Sequence, residues 1–154
     1  MQKVTVYLGS DHAGFRLKEA VKSFLPEIGY PVKDMGADEL DPEDDYPDYA
    51  ERVCEQVLRT GGRGILCCGS GQGMAIAANS IPGIYAVICS TERSARKARE
   101  QMDTNVLCLG EKTVEPELAR GIVKVWLETP FTEEERHVRR FGKIRAIEGK
   151  YMRD

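Results

Sequence analysis

The sequence predicts an α/β domain built on a doubly wound parallel sheet, and three observations carry that prediction. Short apolar runs alternate with stretches of helical periodicity, the pattern of strand–helix–strand crossovers. There are five such runs, and right-handed crossovers arrange five strands most simply in the order 2-1-3-4-5. The third observation is where the polar residues fall. The first and third strands end in Gly9-Ser10-Asp11-His12 and Cys68-Gly69-Ser70, the two most polar strand ends in the chain. In that order these strands are neighbours where the winding reverses, and ligands bind at carboxyl strand ends there.

Taken in order, residues 4–8 read as a strand and 15–25 as a helix, with Phe15, Leu17, Ala20, Val21, Phe24 and Leu25 on one side. Residues 31–34 form a short second strand. The acidic stretch 36–48, with Pro42 and Pro47, reads as a loop. A helix over 49–59 stops at Gly61-Gly62, and 64–68 is the third strand. The glycine loop then opens a helix that runs to about Asn79. Pro82-Gly83 turns the chain into a strand at 84–89, followed by a helix at 92–101 and a fifth strand at 105–109. Helices at 115–128 and 132–150, separated by Pro130, close the chain. No repeat or linker divides it, so 1–154 reads as a single domain.

The bulk properties exclude several classes. A chain of 154 residues can bury a sizeable core, and 31% charged residues suit an ordinary soluble domain. A net charge of −3 gives no reason to expect nucleic acid, although basic residues cluster between Arg136 and Arg145. No early apolar run reads as a signal peptide, and none has the length of a membrane span. Five cysteines without C-x-x-C spacing, beside only His12 and His137, argue against zinc and for reduced thiols in the cytoplasm.

The third strand delivers Cys68 into Gly69-Ser70-Gly71-Gln72-Gly73, where backbone N–H groups are bared before a helix begins. A helix N-terminus attracts anions and activates a thiol beside it. The segment therefore offers a base or nucleophile, a hydroxyl and an oxyanion cradle; the plainer reading is a tight turn with a packed cysteine. The third glycine comes one position early for a dinucleotide fingerprint, and no G-x-x-x-x-G-K-[ST] loop occurs. No arginine stands six positions after Cys67 or Cys68, as a cysteine phosphatase would need. Asp11-His12 puts an acid and an imidazole at the end of the first strand, or simply a helix cap. Asp45-Tyr46-Pro47 reads as a proline-started helix with its cap. Arg136 and Arg140 lie one helical turn apart, as a phosphate-gripping pair or a solvated basic face.

The ordered set Ser10-Asp11-His12-Ala13-Gly14, Asp45-Tyr46-Pro47-Asp48-Tyr49-Ala50, Cys68-Gly69-Ser70-Gly71, Ala77-Ala78-Asn79, Asp103-Thr104-Asn105-Val106 and Arg136-His137-x-x-Arg140 closely resembles ribose-5-phosphate isomerase B. That family also holds galactose- and allose-6-phosphate isomerases, and the resemblance runs over about 4–147. It implies a flavodoxin- or Rossmann-like fold and an aldose–ketose isomerase without metal or cofactor, working through an enediolate. Carried over, Cys68 is the base, and Ser70 with the N–H groups of Gly71 to Gly73 holds the oxyanion. Gly69 and Gln72 complete that loop. Asp11 and Tyr46 contact the sugar and assist ring opening, and His12, Arg136 and Arg140 surround the phosphate. The site would be shared between subunits of a homodimer or tetramer. A thiolate can serve as base near neutral pH, and fixed N–H dipoles stabilise an enediolate.

The chain departs from this pattern at Gln101-Met102, where His-Asn is usual and the histidine opens the sugar ring. Glutamine forms hydrogen bonds but exchanges no proton near neutrality. Lys112 stands for an arginine expected from the partner subunit, and keeps the charge without the bidentate fork. Met74 occupies the place where another branch carries a glutamate base, so the chain belongs with the cysteine type. The expected reaction is ribose 5-phosphate to ribulose 5-phosphate. The alternatives are a hexose 6-phosphate, a substrate already open, or a non-catalytic sugar-phosphate-binding subunit. Neither nucleic acid nor membrane is expected as a partner.

Overall fold

The computed structural model describes residues 3–152. Three apolar runs are buried along nearly their whole length and form the middle of the sheet: β1 (Val6–Ser10), β3 (Arg63–Cys68) and β5 (Val106–Gly110). Continuous burial is what a parallel strand covered on both faces requires. Two three-residue strands, β2 (Val32–Asp34) and β4 (Ala86–Ile88), form the edges. All pairings are parallel, in the order β2-β1-β3-β5-β4.

The doubly wound parallel sheet is as expected, but β4 and β5 exchange places relative to 2-1-3-4-5. Burial explains the exchange. Val106-Leu107-Cys108-Leu109 is fully buried, whereas β4 is short and partly exposed. The run with more apolar surface takes the interior, and a short strand blunts the edge.

Alternation along β3 divides the core into two layers. Ile65 and Cys67 join the layer formed by α1 (Phe15–Phe24), α4 (Glu92–Met102) and α5 (Pro116–Glu128), which contribute Leu17, Ala98 and Trp126. Leu66 and Cys68 join the other, under α2 (Tyr46–Thr60) and α3 (Gln72–Asn79), with Val53 and Met74. Each such side chain, fully buried, contributes about 1.5–3 kcal/mol. One burial in α1 is polar: Lys18 is fully enclosed and pairs with Asp34 at 2.9 Å.

Element ends differ in small ways. The loop expected over 36–48 ends early, because α2 begins at Tyr46. Pro47 fits its first turn, where its missing N–H would have no helical partner. Asp45 makes no side-chain capping bond. The last helix, α6 (Glu135–Tyr151), starts three residues later than expected and packs across the amino-terminal edge of β4. Phe141 meets Tyr85 edge-on at 4.8 Å, and Glu148 accepts from the Tyr85 hydroxyl at 2.9 Å. No helix among the described residues is long and apolar enough to cross a membrane.

Candidate active site

A cleft of about 480 Å³ opens at the carboxyl ends of β1, β3 and β5. From β1 comes Asp11, whose Oδ1 accepts from the Gly14 N–H at 3.1 Å at the start of a short 3-10 turn. Burial raises its pKa above the ordinary carboxylate value, against the opposing hydrogen bond from Gly14. The next residue, His12, is held twice by one carboxylate. Its backbone N–H and its Nδ1 lie 2.9 and 2.8 Å from Asp44 Oδ1. That hydrogen bond raises the His12 pKa. A carboxylate only accepts, so Nδ1 carries a proton and Nε2 is the ring nitrogen left for a ligand.

From β3 comes Cys68, nearly buried, with Sγ accepting from the Gly71 N–H at 3.1 Å. Its neighbour Cys67 is fully enclosed in the opposite layer, where burial pushes its thiol up. Burial likewise raises Cys89 and Cys108, and takes Cys54 to about 12. Cys68 is thus the thiol that lines the cleft.

The glycine loop needs its glycines for two separate reasons. Gly71 has φ +83°, the left-handed region that side chains rarely adopt. Gly73 lies under the Tyr46 ring, and a Cβ there would meet it at 2.6 Å. Tyr46, at the first turn of α2, is thereby laid over the start of α3. The Gln72 N–H donates to Ser70 Oγ at 3.2 Å. With Gly71 turned to the sulfur, the N–H of Gly73 has no partner among the described residues. The oxyanion donors expected from Gly71 to Gly73 therefore divide: one serves the thiol, one the serine, and one is open.

The turn after β5 closes the site. The Glu111 N–H donates to Cys68 O at 2.9 Å and the Lys112 N–H to Gly69 O at 3.0 Å. The Lys112 side chain passes over Gly69 and lines the cleft of its own protomer. With β5 beside β3, its loop lands on the glycine loop.

Asp11, Tyr46, Cys68, Gly69, Ser70, Gln72, Gly73 and Lys112 all line this one cleft, and His12 and Gly71 adjoin it. Four expected residues do not. Gln101 and Met102 end α4 just before β5 begins, at the amino end of the sheet. Thr132 Oγ1 donates to Glu100 O at 3.0 Å, which seats the start of α6, and so Arg136, at that same end. Arg140 follows one turn later. Sequence reasoning missed Ile76 and Thr113, which line the cleft, and Asp44. Asp44 had no signal of its own in the run of acids from Asp38 to Asp48. Asp11, His12 and Asp44 bring their ligand atoms within 4.8 Å of one another, close enough for an ion. The existing bond from His12 Nδ1 to Asp44 makes the group a self-paired network.

Residues 6–144 match the model of the Ribose/Galactose Isomerase family. The chain belongs to that family. It is 44% identical to the ribose-5-phosphate isomerase B of Escherichia coli over 96% of this chain and 97% of that one. It is 43% identical to a Bacillus subtilis protein named as a putative sugar phosphate isomerase, covering 96% and 99%. The solved Clostridium thermocellum ribose-5-phosphate isomerase B superposes with a TM-score of 0.91 at 44% identity, covering 96% and 99%. Family members vary in substrate. A Clostridium relative, 40% identical over 83% of this chain and 81% of its own length, is named 4-deoxy-4-sulfo-D-erythrose isomerase. The chain is therefore an enzyme of an isomerase family.

Proposed function

We propose that this protein interconverts ribose 5-phosphate and ribulose 5-phosphate through an enediolate, with Cys68 as the base. The observation that carries the reading is the Gly71 N–H aimed at Cys68 Sγ in the mouth of the cleft. A fixed donor there favours negative charge on the sulfur. The thiolate takes the C2 proton of the open-chain aldose and the C1 carbonyl oxygen takes up the charge; a proton then passes from the C2 hydroxyl to that oxygen, and the thiol returns its proton to C1 as the C2 carbonyl forms. Ser70 and the free Gly73 N–H stand beside the developing oxyanion, and Asp11 and Tyr46 beside the sugar hydroxyls. Lys112 and His12, whose charge Asp44 supports, face the phosphate.

The remaining phosphate contacts, Arg136 and Arg140, come in this reading from a second copy, because within one chain they lie at the far end of the sheet. Mixing Cys68→Ala with Arg140→Ala protein tests this. Mixed dimers carry one intact site, so activity should return; inactivity of an exchanged mixture would reject the shared site.

A second reading concerns ring opening. Position 101 holds a glutamine, which supplies no proton. A four-carbon aldose carrying phosphate or sulfonate at C4 has no hydroxyl there to close a furanose ring, and so needs no ring-opening acid. The sulfo-erythrose relative gives this reading weight. Turnover of ribose 5-phosphate, hexose 6-phosphates and erythrose 4-phosphate should be measured side by side. Fastest turnover of ribose 5-phosphate supports the first reading, and fastest turnover of erythrose 4-phosphate the second. Binding without turnover of any would make the chain a sugar-phosphate-binding subunit and reject both.

A further inference from the structure

At the end of the sheet opposite the cleft, a second cavity of about 360 Å³ is lined by Arg63, Arg99, Arg145, Asp103, Tyr85 and Phe141, among others. Three arginines line it against one carboxylate, Asp103, with Glu148 behind it accepting from the Tyr85 hydroxyl at 2.9 Å. Arg99 is satisfied, with Asp103 at 2.9 Å and the Thr104 and Thr129 carbonyls as acceptors. Arg63 is not. Its Nη1 is buried without a hydrogen-bond partner, and its side chain has no ion pair among the described residues. Its one close polar contact is the face of Trp126, 5.4 Å from the guanidinium carbon. A ring face does not accept from the in-plane N–H fork, so the buried Nη1 donors are left over. Burial, and then the like charge of Arg99, pull the Arg63 guanidinium down to about 10, so it is still charged near neutral pH. Arg63 is half-buried, and leaving the enclosed Nη1 of a cation without an acceptor is costly.

We propose that this cavity binds a small oxyanion, a phosphate or phosphate monoester, between Arg63 and Arg145. Guanidinium forks match tetrahedral oxyanions, and one bound dianion would answer both the unpaired donors and the excess of cations. The pocket is separate from the proposed phosphate grip. Arg136 and Arg140 share one face of α6, whereas Phe141 and Arg145 share the next, about 100° round the helix. It is also remote from the thiol: Arg63 and Cys68 are the two ends of β3, roughly 16 Å apart at strand rise. Because α6 forms one wall, an anion there would fasten the basic helix to the sheet.

The test uses the full chain and inorganic phosphate, following arginine Nε–Hε resonances and thermal stability. The Arg63 resonance should shift saturably with phosphate. Arg63→Met should be at least as stable as wild type in phosphate-free buffer, and should gain less stability than wild type when phosphate is added. Arg145→Ala, on an exposed helix face, should weaken phosphate at this site about tenfold while leaving cleft binding intact. Ribose 5-phosphate and inorganic phosphate are titrated separately. A second stoichiometric site for the sugar phosphate identifies a phosphate monoester as occupant, and saturation by inorganic phosphate alone identifies the free anion. The proposal is overturned if the Arg63 resonance ignores both anions. It is equally overturned if that resonance responds only to protein concentration, since a second copy would then fill the pocket. An Arg63→Met variant equally destabilised with and without phosphate would make Arg63 a packing residue.

Discussion

The two ends of the sheet divide the work unequally. At the carboxyl end, backbone donors and short polar side chains converge on one thiol, with Lys112 as the cation laid across the loop. At the amino end Arg63, Arg99 and Arg145 share one cavity, and Arg136 stands in the first turn of α6 nearby. In the proposed reading one end moves a proton and the other holds negative charge. A single fold thus places the cleft thiol and the arginine cavity at opposite ends of the sheet.

The sharpest way to break this contrast is at the thiol. Cys68→Ala should lower turnover by about a hundred- to ten-thousand-fold with substrate binding nearly unchanged, whereas Cys67→Ala should leave turnover near wild type. Equal effects from the two, measured as kcat and Kd, would show that the proposed proton-moving end does not depend on its thiol. At the other end, Arg140→Ala should weaken binding of a sugar phosphate by about ten- to a hundred-fold and leave the unphosphorylated sugar unaffected. Equal weakening of both, seen by calorimetry, would point to damaged packing. Gln101→His tests whether the amino end also lacks an acid. It should raise turnover of ribose 5-phosphate several-fold while leaving an open-chain substrate unchanged; no gain would remove position 101 from ring opening.

The smallest effect expected is at Asp44. Hydrogen bonding to Asp44 raises the His12 pKa above its ordinary 6.5. A raised histidine stabilises the fold fully below the unfolded value and loses that contribution as pH rises through the folded one. Asp44→Asn should therefore bring the His12 pKa, read by NMR, down toward 6.5. The stability gap from wild type should be widest near pH 6 and narrow above the folded pKa. A His12 pKa unmoved by the substitution would mean that Asp44 does not set its charge.

Much of the carboxyl end was legible because local rules decide it. Period-two alternation separates Cys67 from Cys68, and glycine spacing marks a turn before a helix. The order of the last two strands was not legible, because it depends on how much surface the helices cover, a sum over the whole chain. The place of Lys112 over the glycine loop follows from the same neighbour of β3. Lys18 and Asp44 were hidden for another reason. Each looks like surface charge until its partner, Asp34 or His12, is brought to it by tertiary contact.

The place of β5 has a consequence for how the protein comes to exist during synthesis. Strand β3 leaves the ribosome well before β5, with α3, β4 and α4 made in between. Through that interval one long edge of β3 has no native neighbour, and an open apolar edge is a template for wrong pairing. The Cys68 and Gly69 carbonyls also wait, because their donors are Glu111 and Lys112. A nascent chain that has already made its thiol and its glycine loop still holds neither in working geometry. The last central strand to be made is the one that sets the glycine loop.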